Sequence, residues 1–227
     1  DSFLAGEDSF EPVRLPHTVQ ELPLHYADSR DYQMVCGYRR NLRPEASMAG
    51  KRLFLQFDGA AHIAAVYLNG TELVTHRCGY TAFRVDITNH LQDENLLCVA
   101  VDNSNNDRVY PQKADFTFYG GIYRDVNLIL VPENHFELCK DGTPGIKVTP
   151  VVNGKDAVVT VETWQNGEGN VTVTVAGMEK TAPSENGHAV AEFVIENVHL
   201  WDGIEDPYLY TAKAEFGGDE VSTRFGC

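Results

Sequence analysis

The sequence predicts an all-β protein made of two sandwich-like domains, and three observations support this prediction. Apolar and polar residues alternate with a period of two, as in residues 170–175, which is typical of strands with one buried face. Asn-Gly and Asp-Gly pairs separate such runs, and these pairs tolerate the positive φ of hairpin turns. The length of 227 residues would accommodate two sandwiches of about 100 residues each.

The individual strands follow from local patterns. Apolar runs of strand length cover 53–57, 63–68, 96–101 and 126–131, and alternating segments cover 157–164, 170–175 and 188–195. The turn signals between strands are Asp58-Gly59, Asn69-Gly70, Asn153-Gly154, Asn166-Gly167, Asn186-Gly187 and Gly217-Gly218-Asp219. No long segment has the i, i+3, i+4, i+7 pattern of an amphipathic helix.

A domain boundary is predicted after residue 132. The stretch 131–134, Val-Pro-Glu-Asn, closes an apolar strand with a proline and polar residues. The part before it is rich in aromatic residues and irregular loops, whereas the part after it is a series of Val/Thr strands and hairpins. We therefore expect one domain over 1–132 and a second over 133–227.

The net charge argues against two classes of partner. The chain has 33 acidic and 18 basic residues, for a formal charge of −15, which repels nucleic-acid phosphates and anionic lipids. No apolar run approaches the 18 residues that a membrane-spanning helix needs. We therefore expect neither nucleic acid nor a membrane as partner. The start of the chain has no basic stretch leading into an apolar run, so no signal peptide is expected.

The cysteines indicate neither a zinc site nor a redox motif. There are five of them, and none forms a C-x-x-C pair. Cys36 and Cys98 lie in apolar runs and are expected to be small buried hydrophobes. Free thiols favour a reducing compartment, so a cytoplasmic location is expected, with a secreted or periplasmic location left open.

Motifs for catalysis, metal binding and cofactor binding are missing. The sequence has no G-x-S-x-G, no G-x-x-x-x-G-K-S/T and no H-E-x-x-H. His17 and His62 are isolated, and we expect them to be hydrogen-bonded structural residues. No two carboxyl groups can be paired from the sequence, so we assign no catalytic residue, no metal ligand and no cofactor.

The segment 114–126, ADFTFYGGIYRDV, has the highest concentration of residues that could bind a ligand. It combines aromatic residues, a double glycine that frees the backbone, and two carboxylates that flank an arginine. Aromatic faces and planar polar groups both bind sugars. In the alternative to sugar binding, most of these residues are structural and lie in the core or at a strand end. We favour this structural interpretation for Phe116, Phe118, Tyr119, Arg124 and Asp125. Asp115 is the exception.

Residues 119–126, YGGIYRDV, resemble the G-I-aromatic-R-D-V signature that closes the N-terminal jelly-roll domain of glycoside hydrolase family 2. Further stretches resemble the same family in the same order and spacing: LPH at 15–17, FDGAA at 57–61, VYLNG at 66–70, CGYTAFRVDIT at 78–88 and NLLCV at 95–99. Leu200-Trp201, DPYLY at 206–210 and RFG at 224–226 resemble the ending of its immunoglobulin-like domain. The resemblance therefore implies a jelly-roll β-sandwich followed by an immunoglobulin-like β-sandwich.

The resemblance also implies what lies outside the chain. In this family a catalytic (β/α)₈ barrel of roughly 250 residues comes next and carries the acid/base and nucleophile glutamates. The barrel is then absent from these 227 residues, and we expect this polypeptide not to hydrolyse glycosides by itself. Members of the family often form homo-oligomers, so a homo-oligomer is a possible assembly.

One substrate-binding residue follows from the resemblance. In the family, an aspartate six residues before the G-I pair hydrogen-bonds the terminal sugar, and Asp115 stands six residues before Gly121. The segment is most similar to β-galactosidases, so a terminal β-galactoside is the expected substrate, with β-glucuronide and β-mannoside as alternatives. The competing hypothesis is a free-standing carbohydrate-binding or adhesion module, which would need an exposed aromatic platform such as Tyr80, Tyr110 and Tyr119.

Overall fold

The chain forms two compact units in the computed structural model, which describes residues 2–6, 9–22, 28–109 and 116–227. The first unit comprises Asp1–Leu130 and the second Val131–Cys227. The domain boundary after residue 132 stays a prediction.

The described residues form fourteen strands. They are β1 Val35–Leu42, β2 Lys51–Phe57, β3 Ile63–Leu68, β4 Thr71–Arg77, β5 Phe83–Asp86, β6 Asn95–Asp102, β7 Val126–Pro132, β8 Ile146–Asn153, β9 Asp156–Trp164, β10 Gly169–Val175, β11 Met178–Ser184, β12 His188–Ile195, β13 Tyr210–Phe216 and β14 Asp219–Phe225. One short helix, α1, spans Ser2–Ala5, and 3₁₀ turns cover Ser29–Asp31, Ala46–Met48 and Thr88–His90. The all-β prediction is confirmed.

No helix within the described ranges is long and apolar enough to cross a membrane.

The first unit is a sandwich of two antiparallel sheets. One sheet has the order β1-β6-β3-β4 and the other β5-β2-β7. Alternate residues of β2, Leu53, Leu55 and Phe57, are buried, as the period of two requires. They share one apolar core with Val66 of β3 and other buried residues of both sheets. This is the predicted jelly-roll sandwich.

The second unit is a smaller version of the same architecture. Its sheets have the orders β11-β10-β13-β14 and β12-β9-β8. Val159 and Val161 of β9, Val173 of β10 and Phe193 of β12 are at most 1% exposed and belong to one core. Both sheets contribute to that core, and the predicted immunoglobulin-like sandwich is confirmed.

Only some of the predicted turn pairs close hairpins. Asn69-Gly70 joins β3 to β4 with φ values of 52° and 80°. Residues 153–154 and 217–218 close the β8–β9 and β13–β14 hairpins. Asp58-Gly59 and Asn166-Gly167 instead connect strands of different sheets. An Asn-Gly or Asp-Gly pair marks a change of direction, but the next strand can join either sheet.

The burial predicted for two of the cysteines is found for one of them. All five lie among the described residues and are free thiols. Cys98 is 1% exposed, as predicted. Cys36 is only half-buried on edge strand β1, which corrects its expected burial. Burial still raises the pKa of the Cys36 thiol to about 11, so it is protonated at neutral pH.

Candidate functional site

The segment 116–126 is fixed to two other parts of the first unit by backbone hydrogen bonds. The amide of His17 donates to the carbonyl of Ile122 at 2.8 Å, and the amide of Val19 donates to that of Gly120 at 3.0 Å. On the other side, the amide of Ala61 donates to the carbonyl of Gly121 at 3.0 Å. The backbone of this segment is thereby held from both sides.

Gly121 occupies a position that only glycine fits. Its φ is 119°, a value that residues with a side chain rarely adopt. A Cβ there would lie 2.6 Å from the hydroxyl of Tyr38 and 2.7 Å from the carbonyl oxygen of His17. That hydroxyl is also 2.8 Å from Nδ1 of His17, so the expected structural hydrogen bond of His17 is present. Close packing therefore requires a glycine at position 121.

Tyr123 and Arg124 secure the start of β7. The hydroxyl of Tyr123 donates to the carbonyl of Gly79. A guanidinium nitrogen of Arg124 lies 3.3 Å from the carbonyl oxygens of both Asp58 and Tyr80 and donates to them. The expectation that Arg124 braces a strand end agrees with these contacts.

His62 departs from its predicted role. It is 5% exposed, and its Nε2 has no hydrogen-bond partner among the residues that the structure describes. Its ring packs edge-on against Phe118 with the centroids 5.7 Å apart. Burial lowers its pKa, although Asp102 opposes the effect. The expectation of a hydrogen-bonded ring is therefore wrong for Nε2, and His62 is a neutral packing residue at pH 7.

Asn103 is a buried polar residue beside this segment that the sequence analysis missed. It directly follows β6 and is 1% exposed. Its Nδ2 donates to the carbonyls of Phe118 at 3.0 Å and Tyr32 at 2.7 Å, and its Oδ1 accepts from the amide of Met34 at 2.9 Å. Asn-Ser after a strand is an ordinary turn signal, so the sequence did not distinguish it.

The aromatic residues of the segment divide between core and surface. Phe118 is 7% exposed, as expected for a core residue, but Phe116 is 57% and Tyr119 is 41% exposed. The prediction that all three are core residues is wrong for Phe116 and Tyr119. Tyr80 is also exposed, at 40%. Exposed aromatic faces such as these can stack on the C–H surfaces of a ligand.

The predicted sugar contact, Asp115, lies outside the described residues, as does Tyr110 of the predicted platform. Phe116 is the first described residue after Asp115. Within the described ranges, no group of three or more His, Cys, Asp or Glu side chains could hold a metal ion.

Both units match profiles of one enzyme family. Residues 11–132 match the profile "Glycosyl hydrolases family 2, sugar binding domain". Residues 137–227 match the profile "Glycosyl hydrolases family 2".

Curated relatives have two different activities. The chain is 30% identical over 224 residues to a β-galactosidase of Thermoanaerobacter pseudethanolicus, which covers 92% of this chain and 30% of that protein. It is 33% identical over 226 residues to a β-glucuronidase of Bacteroides fragilis, which covers 91% of this chain and 32% of that protein. The chain therefore spans about a third of the length of these relatives.

The fold is shared with solved structures. The crystal structure of a Bacteroides uniformis β-glucuronidase superposes with a TM-score of 0.79 at 26% identity, covering 96% of this chain and 29% of that one. With both profiles matched in order over nearly the whole chain, the protein belongs to glycosyl hydrolase family 2, of which it contains the sugar-binding domain and the immunoglobulin-like domain.

Proposed function

We propose that this chain is the non-catalytic N-terminal part of a retaining glycoside hydrolase whose catalytic barrel follows in the full-length protein. The observation that carries the proposal is the pair of profile matches on a chain that spans about a third of its relatives. Retaining hydrolysis requires two carboxyl groups about 5–5.5 Å apart, and these belong to the barrel. The two sandwiches support the barrel and form part of the rim of its pocket.

Within this arrangement, the contact with the sugar is assigned to Asp115. An ionised carboxylate accepts hydrogen bonds from two adjacent hydroxyl groups, and such charge-assisted bonds are stronger than neutral ones. Residues 116–126 are a suitable base for such a contact because they are held by backbone hydrogen bonds to two other segments. A contact on a fixed backbone loses little conformational entropy when the substrate binds.

The proposed substrate is a terminal β-galactoside. Relatives of similar identity include both a β-galactosidase and a β-glucuronidase. Our preference rests on the 114–126 segment, which is most similar to β-galactosidases. Selectivity for a carboxylate or for an axial hydroxyl is largely determined in the barrel.

The test is a comparison of kcat/KM for the full-length gene product on nitrophenyl β-galactoside, β-glucuronide and β-mannoside. We expect hydrolysis of the galactoside to be the fastest of the three. Faster hydrolysis of the glucuronide or the mannoside would overturn the substrate assignment but would still support the proposal that the full-length protein is a glycosidase. Hydrolysis of none of them, by a protein that is folded by circular dichroism, would overturn the enzyme proposal.

A second candidate is a module that binds carbohydrate by itself. The exposed faces of Phe116, Tyr119 and Tyr80 favour it, since aromatic residues are common in ligand-binding surfaces. Calorimetric titration of residues 1–227 with galactose and galacto-oligosaccharides separates the two candidates. The accessory role predicts no measurable heat of binding. Saturable binding that is lost in a Tyr119→Ala variant would favour the module.

A further inference from the structure

The second unit carries an exposed apolar surface just before β13 begins. Five large apolar side chains within residues 200–209 are at least 40% exposed: Leu200, Trp201, Ile204, Tyr208 and Leu209. We call these five the 200–209 patch. Ile204 is 96% exposed, and none of the five belongs to the core of the unit. Single exposed apolar residues are ordinary, but a cluster of them typically marks an interaction surface.

The backbone that presents Ile204 is ordered by hydrogen bonds. The amide of Asp202 donates to the carbonyl of Asp206 at 2.8 Å, and the amide of Asp206 donates to the carbonyl of Asp202 at 3.0 Å. These two bonds close the turn that carries Ile204. Nε2 of His199 lies 2.6 Å from the carboxylate of Asp206, and the His199 ring stacks on Tyr208 with the centroids 4.0 Å apart. An apolar side chain on such a fixed turn loses little conformational entropy when a partner covers it.

The patch lies beside the last residues of the chain. The amide of Trp201 donates to the carbonyl of Cys227 at 2.8 Å. Trp201 and Leu209 also pack against Gly226, since a Cβ at Gly226 would lie 3.0 Å from Cβ of Trp201 and 3.6 Å from a methyl carbon of Leu209. Any segment that follows Cys227 therefore begins next to the patch.

We propose that the 200–209 patch is the docking surface for the catalytic barrel that follows Cys227 in the full-length protein. This inference rests on the proposed function. The chain covers only 30% and 32% of two relatives, so a segment of the required size is available and starts beside the patch. Trp and Tyr are enriched in the buried centres of interfaces, which is the position that this docking gives to Trp201 and Tyr208.

The charges around the patch favour the barrel over a second copy of this chain. Asp202 and Glu205 are exposed carboxylates on either side of Ile204 in the sequence. In a symmetric pair of copies the same surface lies on both sides, so these carboxylates would face each other, and like charges across an interface are unfavourable. The barrel surface that fits the patch is instead an apolar hollow with basic side chains around it.

Photocrosslinking of the full-length gene product tests the proposal. Ile204 is replaced by p-benzoylphenylalanine, which its exposure allows without disturbing the core, and the crosslinked peptides are mapped by mass spectrometry after irradiation. We expect crosslinks to peptides beyond residue 227, in a species that runs as a monomer on a denaturing gel. Crosslinks only to a second copy or only to residues 1–227, or no crosslink, would overturn the proposal.

Val190 provides the matched control position. It is an exposed apolar residue of the same unit, on β12 and outside the patch. The same photoreactive residue at Val190 should give few or no crosslinks beyond residue 227. Equal yields at Val190 and Ile204 would show general proximity to the following segment and would contradict a specific docking surface.

Ile204→Asp gives a second readout in the full-length protein. A carboxylate cannot enter an apolar interface unpaired without a large cost, so this variant should be cut by a protease near residue 227 several-fold faster than the wild type. Val190→Asp adds the same charge and should be cut at the wild-type rate. Equal rates for the two variants would count against the docking surface.

The failure of this inference can be told from a failure of the proposed function. If the wild-type full-length protein hydrolyses a nitrophenyl glycoside but Ile204 gives no crosslink beyond residue 227, the docking surface is wrong and the proposed function stands. If that protein is folded and hydrolyses none of the three glycosides, the proposed function fails and the docking of a catalytic barrel fails with it.

Discussion

Asp115→Ala in the full-length gene product is expected to lower kcat/KM for the preferred glycoside by roughly 100-fold or more. Each hydrogen bond to a charged group contributes about 1.5–3 kcal/mol, and about 1.4 kcal/mol corresponds to a factor of ten. Two such bonds to adjacent hydroxyl groups account for the expected loss. Steady-state kinetics on the nitrophenyl glycoside measures it, and the melting temperature should stay close to the wild-type value.

The control for this prediction is Asp107→Ala. Asp107 is an exposed carboxylate eight residues before Asp115, so its removal changes the net charge by the same amount. It should leave kcat/KM unchanged. If Asp115→Ala retains wild-type kcat/KM, the assignment of the sugar contact is wrong. If Asp107→Ala loses as much activity as Asp115→Ala, the effect is one of general charge.

Gly121→Ala is expected to destabilise the first unit strongly. A side chain at a φ of 119° is strained, which costs about 1–3 kcal/mol. Forcing a methyl group to within 2.6 Å of the Tyr38 hydroxyl adds an overpacking cost of about 1–3 kcal/mol. The loss can be measured for residues 1–227 by thiol labelling in urea with peptide-resolved mass spectrometry. Cys98 is buried in this unit, so its labelling reports the unfolding.

Gly70→Ala is the matched control for Gly121→Ala. Gly70 also has a positive φ, 80°, but a Cβ there would meet nothing within 4 Å. Its replacement should cost only the left-handed backbone penalty of about 1–2 kcal/mol. The urea concentration at which Cys98 becomes labelled should fall much further for Gly121→Ala. Equal shifts for the two variants would mean that the close packing around Gly121 does not stabilise the unit.

Except for β13, the central strands of the four sheets could be predicted from the sequence, whereas among the edge strands only β7 and β12 could. β9 and β10 alternate apolar and polar residues because one face of each is buried. β11 lies at a sheet edge, and most of its side chains are exposed, so it has little apolar pattern to detect. β4 and β14 are edge strands of the same kind. Polar and charged side chains are common on edge strands, where they discourage pairing with other chains.

The site was less predictable than the fold, because local sequence patterns show neither contacts between distant segments nor the exposed face of a loop. The glycine pair of residues 120–121 was conspicuous because adjacent glycines are typical of a backbone that needs unusual torsion angles or close packing. Asn103 was not, since its partners Tyr32 and Met34 are about 70 residues away and a single sequence does not show such contacts. Residue type alone predicts a core position for Phe116 and Tyr119, but residue type does not say which face of a loop is exposed.

We propose that this chain belongs to a glycosidase but does not carry its catalytic carboxylates. In the most direct measurement, residues 1–227 and the full-length gene product are assayed side by side on nitrophenyl β-galactoside, β-glucuronide and β-mannoside. We predict that the full-length protein releases nitrophenol from one of them and that residues 1–227 release none above the buffer rate. Hydrolysis by residues 1–227 alone would contradict this proposal, because catalytic carboxylates would then have to lie within this chain.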